Sequence, residues 1–197
     1  MNALHQGIEM DFAYKLSNKL TFEGLVSLGD WKWTSSDTVR FYDDNNNPVI
    51  DDLGNEVIAT FDADGVHVGD AAQTQYGISF RYEPTINSYF KIRGTYFDNY
   101  YSDFDPLSLN GENTGRESWK IPAYQLIDVH AGYKISLTPK NKLDIKFSVL
   151  NLLDEIYISD AQNNDPYNAN YQDFDAKSAG VFFGLGRRFN ISAKINF

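Results

Sequence analysis

The residues of this chain that could do chemistry are mostly carboxylates. Asp62-Ala63-Asp64-Gly65-Val66-His67-Val68-Gly69-Asp70 begins like a calcium loop, but it lacks the third early oxygen ligand and the bidentate Glu at the twelfth position. Asp43, Asp44, Asp51 and Asp52 fall in the same stretch. Weak calcium binding through Asp62, Asp64 and Asp70 is one reading, and a turn-rich external loop is the other, which the incomplete ligand set favours. His5, His67 and His130 form no i, i+4 pair, and the chain has no cysteine, so no transition-metal site is expected. Glu9 and Asp11 are spaced to share one face of a strand, which in principle suits acid and base roles. No Ser-His partner accompanies them, and GxSxG, P-loop, GxGxxG and HExxH spacings are absent. The chain is therefore not expected to be an enzyme or to need a cofactor. Its net charge of -10 disfavours nucleic acid as a partner.

Two-residue alternation dominates the segments that must carry these groups. Ile8, Met10, Phe12, Tyr14 and Leu16 alternate with small or polar residues, and the parity resumes after Ser17-Asn18-Lys19 at Leu20, Phe22, Gly24, Val26 and Leu28. Side chains of a strand point alternately to its two faces, so each run predicts one apolar and one polar face, and the pair predicts a hairpin. A second hairpin is expected from Thr74–Tyr82 and Phe90–Tyr96, a third from Ile127–Leu137 and Leu143–Val149. From Val181 to Phe197 the alternation never breaks, which predicts a seventh, single strand about three times the usual length. Such lengths suit bilayer crossing.

Between the hairpins lie three long connections, about 34–72, 99–122 and 153–179, so short and long links alternate strictly. Transmembrane barrels are built this way, with short turns at one end and long outer loops at the other. Charge follows the same division. Segments 30–72, 98–120 and 154–177 hold 21 of the 27 acids but 5 of the 17 bases, leaving 12 bases against 6 acids elsewhere. Val49-Ile50 and Val57-Ile58, flanking Asp51 to Asn55, predict a small extra hairpin within the first long connection.

No run of apolar residues approaches the length of a spanning helix, which a barrel does not need. A strand tilted at about 40° climbs roughly 2.5 Å per residue along the membrane normal, so Arg187 to Phe197 spans about 25 Å, the height of the apolar band. Arg187 then falls at the headgroups. Met1 is followed by no basic and no apolar leader segment, so a secretory signal is not expected within these residues. Seven crossings cannot close an even-stranded barrel, so the expected fold is all-β, a closing arc of a larger antiparallel transmembrane β-barrel.

Asn151-Leu152-Leu153-Asp154-Glu155-Ile156-Tyr157 resembles the NLFDxxY box that ends the penultimate strand of TonB-dependent outer-membrane receptors, with Leu153 in place of the commoner Phe. Asn151, Leu152, Asp154 and Tyr157 carry that resemblance. Ile127 to Tyr133 is similar to the strand before the box, and Gly186-Arg187-Arg188-Phe189 running on to Phe197 is similar to the closing strand. Trp119 to Tyr124 and Tyr96 to Pro106 add weaker likeness. The resemblance is firmest over about 90–197. It implies a 22-strand-type barrel in the cell outer membrane, surrounded by lipid, importing a scarce nutrient such as a siderophore or glycan. It further implies a plug domain and a TonB box that contact the TonB complex, neither of which these 197 residues are expected to contain. Phe197, as terminal aromatic, would be the signal read by the barrel-assembly machinery.

Two other readings stand beside this one. A small complete barrel of eight strands, an anchor or adhesin, would need its eighth strand from residues 48–60. A soluble, lipocalin-like barrel would bury the apolar face that a membrane barrel exposes, and alternation alone cannot tell the two apart.

Overall fold

The computed structural model describes residues 2–163 and 175–196. Among these residues the strands are, in chain order, β1 (Ala3–Lys15), β2 (Leu20–Trp33), β3 (Ser36–Arg40), β4 (Ile58–Asp62), β5 (Thr74–Thr85), β6 (Ser88–Asp98), β7 (Tyr100–Tyr101), β8 (Asp103–Phe104), β9 (Lys120–Ile121), β10 (Tyr124–Ser136), β11 (Lys142–Leu150), β12 (Ile158–Asn163), β13 (Gly180–Phe183) and β14 (Arg188–Asn196). Short 3-10 turns at Pro106–Ser108 and Gly111–Asn113 lie between β8 and β9.

Seven strands form one sheet in the order β1-β2-β5-β6-β10-β11-β14. Each neighbouring pair is antiparallel, and sheet order follows chain order. The three links at one end are tight. Ser17 Oγ accepts from the backbone N–H of Lys19 and Leu20 in the first. The Thr85 and Ser88 hydroxyls meet at 2.7 Å in the second, and Thr138 Oγ1 accepts from Asn141 N–H in the third. Ser and Thr side chains thus cap the backbone groups that the turns leave free. The long connections all leave the opposite end.

The apolar face of this sheet does not converge on a dry centre. Ile191 is 73% exposed, Ile195 50%, Phe147 38% and Ile92 37%. Apart from Val149 at 7% exposure, apolar burial among the described residues is found in the long connections. One cluster joins Phe61, Ala63, Val66, Phe104 and Leu109, with Trp33 and Leu107 against it. The other joins Ala72, Tyr100, Ile121 and Ala161, with Trp119, Tyr124 and Val181 packed around them. Apolar area is thus removed from water where the chain stands clear of the sheet, and left open along the strands.

Residues 48–60 contribute nothing to the seven-strand sheet. They extend the β3–β4 hairpin into an arm, in which Val49 N–H donates to Phe41 O and Val57 N–H to Val49 O, both at 2.8 Å. The hairpin expected around Asp51–Asn55 is there, but the eighth crossing strand is not.

The expectation of one unbroken strand from Val181 to Phe197 is corrected. Gly180–Phe183 pairs with β12 in a separate sheet, Gly184–Arg187 leaves the ladder, and the crossing strand starts at Arg188. The cause is competition for backbone groups. Gly184 N–H donates to Tyr157 O at 2.8 Å, and Asp154 Oδ1 accepts from Arg187 N–H at 2.7 Å. Alternation fixes the parity of side chains but does not say which partner the backbone takes. Phe197, the expected assembly signal, lies outside the described residues.

Candidate functional site

The register lines up the alternation of all seven strands. Direct cross-strand partners share a face, so the row Phe12, Gly24, Ile78, Gly94 and Ile127 sits on one side together with the row Tyr14, Phe22, Phe80, Ile92, Val129 and Val149 and the pair Phe147 and Ile191. Through the middle of the strands this side carries no charge. The other side carries Glu9, Asp11, Glu23, Arg81, Lys91, Arg93, Asp128, His130, Lys134, Asp144, Lys146, Arg188 and Lys194.

These charges are cross-linked along the hydrogen-bonding direction of the sheet. Glu23 on β2 accepts from Ser79 Oγ on β5 at 2.6 Å and from Lys91 Nζ on β6 at 2.5 Å, so one carboxylate ties three strands. Arg81 lies 4.0 Å over the ring of Tyr89 and pairs with Glu83. His130 Nδ1 meets Ser148 Oγ at 2.9 Å, which makes it part of the polar lining. Glu9 takes a hydrogen bond from Ser27 Oγ. The Glu9 and Glu23 carboxylates both take serine hydroxyls as donors within the row of charges, and the arrangement reads as a polar wall along the sheet.

The segments that resemble the box and the closing strand meet in space, although about thirty residues separate them. Asn151 takes a positive φ of 51° at the end of β11, a conformation that Asn tolerates better than most residues. Its N–H donates to Asp128 Oδ1, its side-chain amide donates to Glu155 O and Leu185 O, and its Oδ1 accepts from Glu155 N–H. Asn151 is 3% exposed, and these bonds use both hydrogens of its buried amide and one lone pair of its Oδ1. Leu152 N–H donates to Ile127 O at 2.7 Å. Asp154 holds Arg187 N–H, and a side chain at Gly186 would start 3.0 Å from Asp154 Oδ1. The Tyr157 ring stacks on Tyr124 at 4.5 Å, which stacks on Phe97 at 4.8 Å. Asn151, Asp154, Tyr157, Gly186 and Arg187 therefore act together as a clamp on the start of β14.

At the same end the long connections are knitted into a crown. Gln73 is 1% exposed and is its hub: its Oε1 accepts from Trp31 N–H, and its Nε2 donates to Trp31 O and Val68 O. His67 stacks on Tyr101 at 4.1 Å with the rings parallel, its Nδ1 lies 2.5 Å from Glu117 Oε2, and its Nε2 is 3.8 Å from Asp30. Sequence reasoning left His67 as part of a loop and did not see this clip, because Glu117 is 50 residues away and nothing in local spacing signals it.

The candidate calcium residues take other roles. Asp62 Oδ1 accepts from Asp64 N–H in a tight turn. Asp70 faces Asp103 and Asp160; burial, reinforced by those two charges, pushes its carboxyl above the ordinary range. Among the described residues no group of three or more acidic or histidine side chains is arranged to hold a metal ion. Tyr100, whose hydroxyl donates to Ser159 O, is pushed up to about 12, first by burial and then by Asp160. Lys120 is raised by its hydrogen bond to Asp98, 2.9 Å away.

An open antiparallel sheet with one lipid-like face, one charged face and all long connections at one end defines an arc of a membrane β-barrel. The chain belongs to the TonB dependent receptor-like, beta-barrel family, whose model matches residues 2–152. The match reaches well before residue 90, where the sequence motifs are sparse, and ends inside the Asn151 box. A search of curated proteins found no match.

Proposed function

We propose that this chain is part of the barrel of an outer-membrane receptor that imports a scarce nutrient using energy relayed by the TonB complex. The apolar face meets lipid, and the charged face lines the interior, against a plug or along the solute route. The connections 34–72, 99–122 and 153–179 are then the outer loops, where ligand recognition resides. One observation carries the reading: seven strands in register keep every mid-strand charge on the same side. A soluble barrel would bury the opposite face, and that face is open.

Family membership supports a transporter rather than an enzyme, and no spacing or cluster among the described residues offers catalysis. The solute class, whether siderophore, glycan, vitamin or peptide, is to be read from the crown and not from the strands.

Single cysteines placed in the native receptor test the reading. Cysteine at Ile191 or Ile92 should resist a water-soluble maleimide in intact outer membranes and react with a lipid-soluble one, whereas cysteine at Ser192 should show interior protection that plug removal relieves. Equal aqueous reactivity at all three sites would sink it, as would a chain that stays monodisperse without detergent. Uptake that persists without TonB would remove the energy coupling but leave the barrel.

A further inference from the structure

Glycines within this sheet are filled by their neighbours, with one exception. A Cβ built on Gly24 would lie 2.4 Å from the ring of Phe12, one on Gly132 2.2 Å from Tyr89, and one on Gly29 2.7 Å from Trp31. Gly77 is covered by Leu25 at 3.2 Å. At these four positions a neighbouring side chain lies over the gap that glycine leaves, and at Gly7 the backbone of Leu28 closes it, with the carbonyl oxygen 2.5 Å from a built Cβ. At Gly94 the nearest contact is Ile78 Cγ1 at 3.9 Å. This notch is open.

Register places the notch in the middle of the uncharged face. Ile78 and Ile127 flank Gly94 across the sheet, and Tyr76, Tyr96 and Gln125 form the next row towards the long connections. Together they enclose a groove of about 320 Å³. The two tyrosine rings are near parallel, with centroids 6.2 Å apart, and Tyr76 and Tyr96 are 43% and 38% exposed. Above them the Tyr96 hydroxyl donates to Asp98, which pairs with Lys120. The groove is therefore apolar at its floor and polar at its upper rim.

Depth agrees with that polarity. Gly94 lies six residues from Ser88 and four from Asp98 in β6, which at about 2.5 Å per residue puts it roughly 15 Å from the short-turn end and about 10 Å from the long-loop end. Tyrosines at the upper rim fall where a bilayer's interface has its aromatic belt.

We propose that the Gly94 groove is a binding site for one acyl chain of a lipid in the leaflet on the long-loop side. The chain lies over Gly94 between Ile78 and Ile127, and the lipid's polar part stands at Tyr76, Tyr96 and Gln125. An empty apolar notch forfeits dispersion contacts on a face with no other side chain to fill it, and a flexible hydrocarbon restores them. The inference rests on the membrane-facing reading of this surface.

Gly94→Leu fills the notch from within. The backbone there needs no positive φ, and an added Cβ meets only an ordinary contact, so the variant should fold. The native receptor, extracted in mild detergent and washed exhaustively, should retain one lipid per molecule more than Gly94→Leu, as counted by mass spectrometry. Spin-labelled phospholipid should likewise show a smaller immobilised fraction on the variant. Equal retention and equal immobilisation would overturn the groove. A photo-crosslinker at Ile127 that captures protein instead of lipid would overturn it too. Phe189→Trp separates the two ideas: a tryptophan there that brominated-chain lipids fail to quench would sink the membrane-facing reading itself, whereas quenching with unchanged retention sinks the groove alone.

Discussion

The ring of Tyr157 occupies the space in which Gly184 has no side chain: a Cβ built on Gly184 would lie 2.0 Å from the ring's Cζ. The same two residues share a backbone hydrogen bond, Gly184 N–H to Tyr157 O at 2.8 Å. Their contact decides where the closing strand leaves the crown and joins β11. Gly184→Val would expel the ring from its stack on Tyr124, an overpacking that costs about 1–3 kcal/mol. We expect a lower unfolding temperature and earlier proteolysis within 175–190 in the receptor, while Gly180→Ala, whose Cβ would meet only Gln162 O at 3.9 Å, stays near wild type. Equal damage from both would refute a specific role for the ring.

Asn151 offers a sharper test of the clamp, because its side chain makes its bonds from a buried site. Asn151→Ala leaves Leu185 O, Glu155 O and Glu155 N–H without partners and should cost about 1–3 kcal/mol. Amide exchange should quicken first at Glu155 and Arg187 and only later along β10. Uniform acceleration over the whole sheet would mean that Asn151 does not act on the start of β14 in particular.

Gln73 should matter as much as any apolar core residue. Its Oε1 is the acceptor for Trp31 N–H and its Nε2 the donor to Val68 O, while Trp31 O, which also takes a bond from Nε2, has Val68 N–H as a second donor at 2.9 Å, so Trp31 N–H and Val68 O are the groups that depend on Gln73. Gln73→Leu keeps the volume but orphans those groups, and should loosen the crown by about 1–3 kcal/mol. Limited proteolysis of the 34–72 connection is the readout; unchanged cleavage would show that the hub is dispensable.

The sheet was legible in the sequence because the alternation at Ile8–Leu28, Thr74–Tyr96 and Ile127–Val149 is a local signal repeated in every strand. The long connections were legible only as gaps. Their internal order comes from pairs such as His67 with Glu117 and Gln73 with Trp31, which are 50 and 42 residues apart and have no periodic signature. The split at Gly184–Arg187 was hidden for the opposite reason. There the local pattern was perfect, and a tertiary hydrogen-bond partner overrode it. Resemblance pointed to the box residues but not to their geometry as a clamp.

Asp70 gives a prediction in pH. Its carboxyl is raised above its ordinary value, by burial first and by Asp103 and Asp160 after it, so the ionised form is disfavoured in the folded crown. The penalty is fully present above the folded value and disappears as pH falls to the unfolded value of about 3.9. Asp70 has a φ of 69°, which Asn adopts readily. Asp70→Asn should therefore stabilise the crown at pH 7, by no more than about 1 kcal/mol after solvent screening, and lose that advantage near pH 4. A variant that is less stable at pH 7 would show that the carboxylate is needed there.

Strand direction supplies the last test. β1 and β14 are the two edges of the sheet and are separated by six antiparallel steps, so they run the same way. Pairing them directly would make a parallel seam, and an all-antiparallel closure needs an odd number of further strands between them. Until those are supplied, both edges carry unpaired backbone groups, each costing several kcal/mol in hydrocarbon. These 197 residues, refolded alone into planar bilayers, should give no steady conductance. Discrete, reproducible single-channel steps from the purified chain would mean that its edges have found each other, and the arc would have to be redrawn as a complete pore.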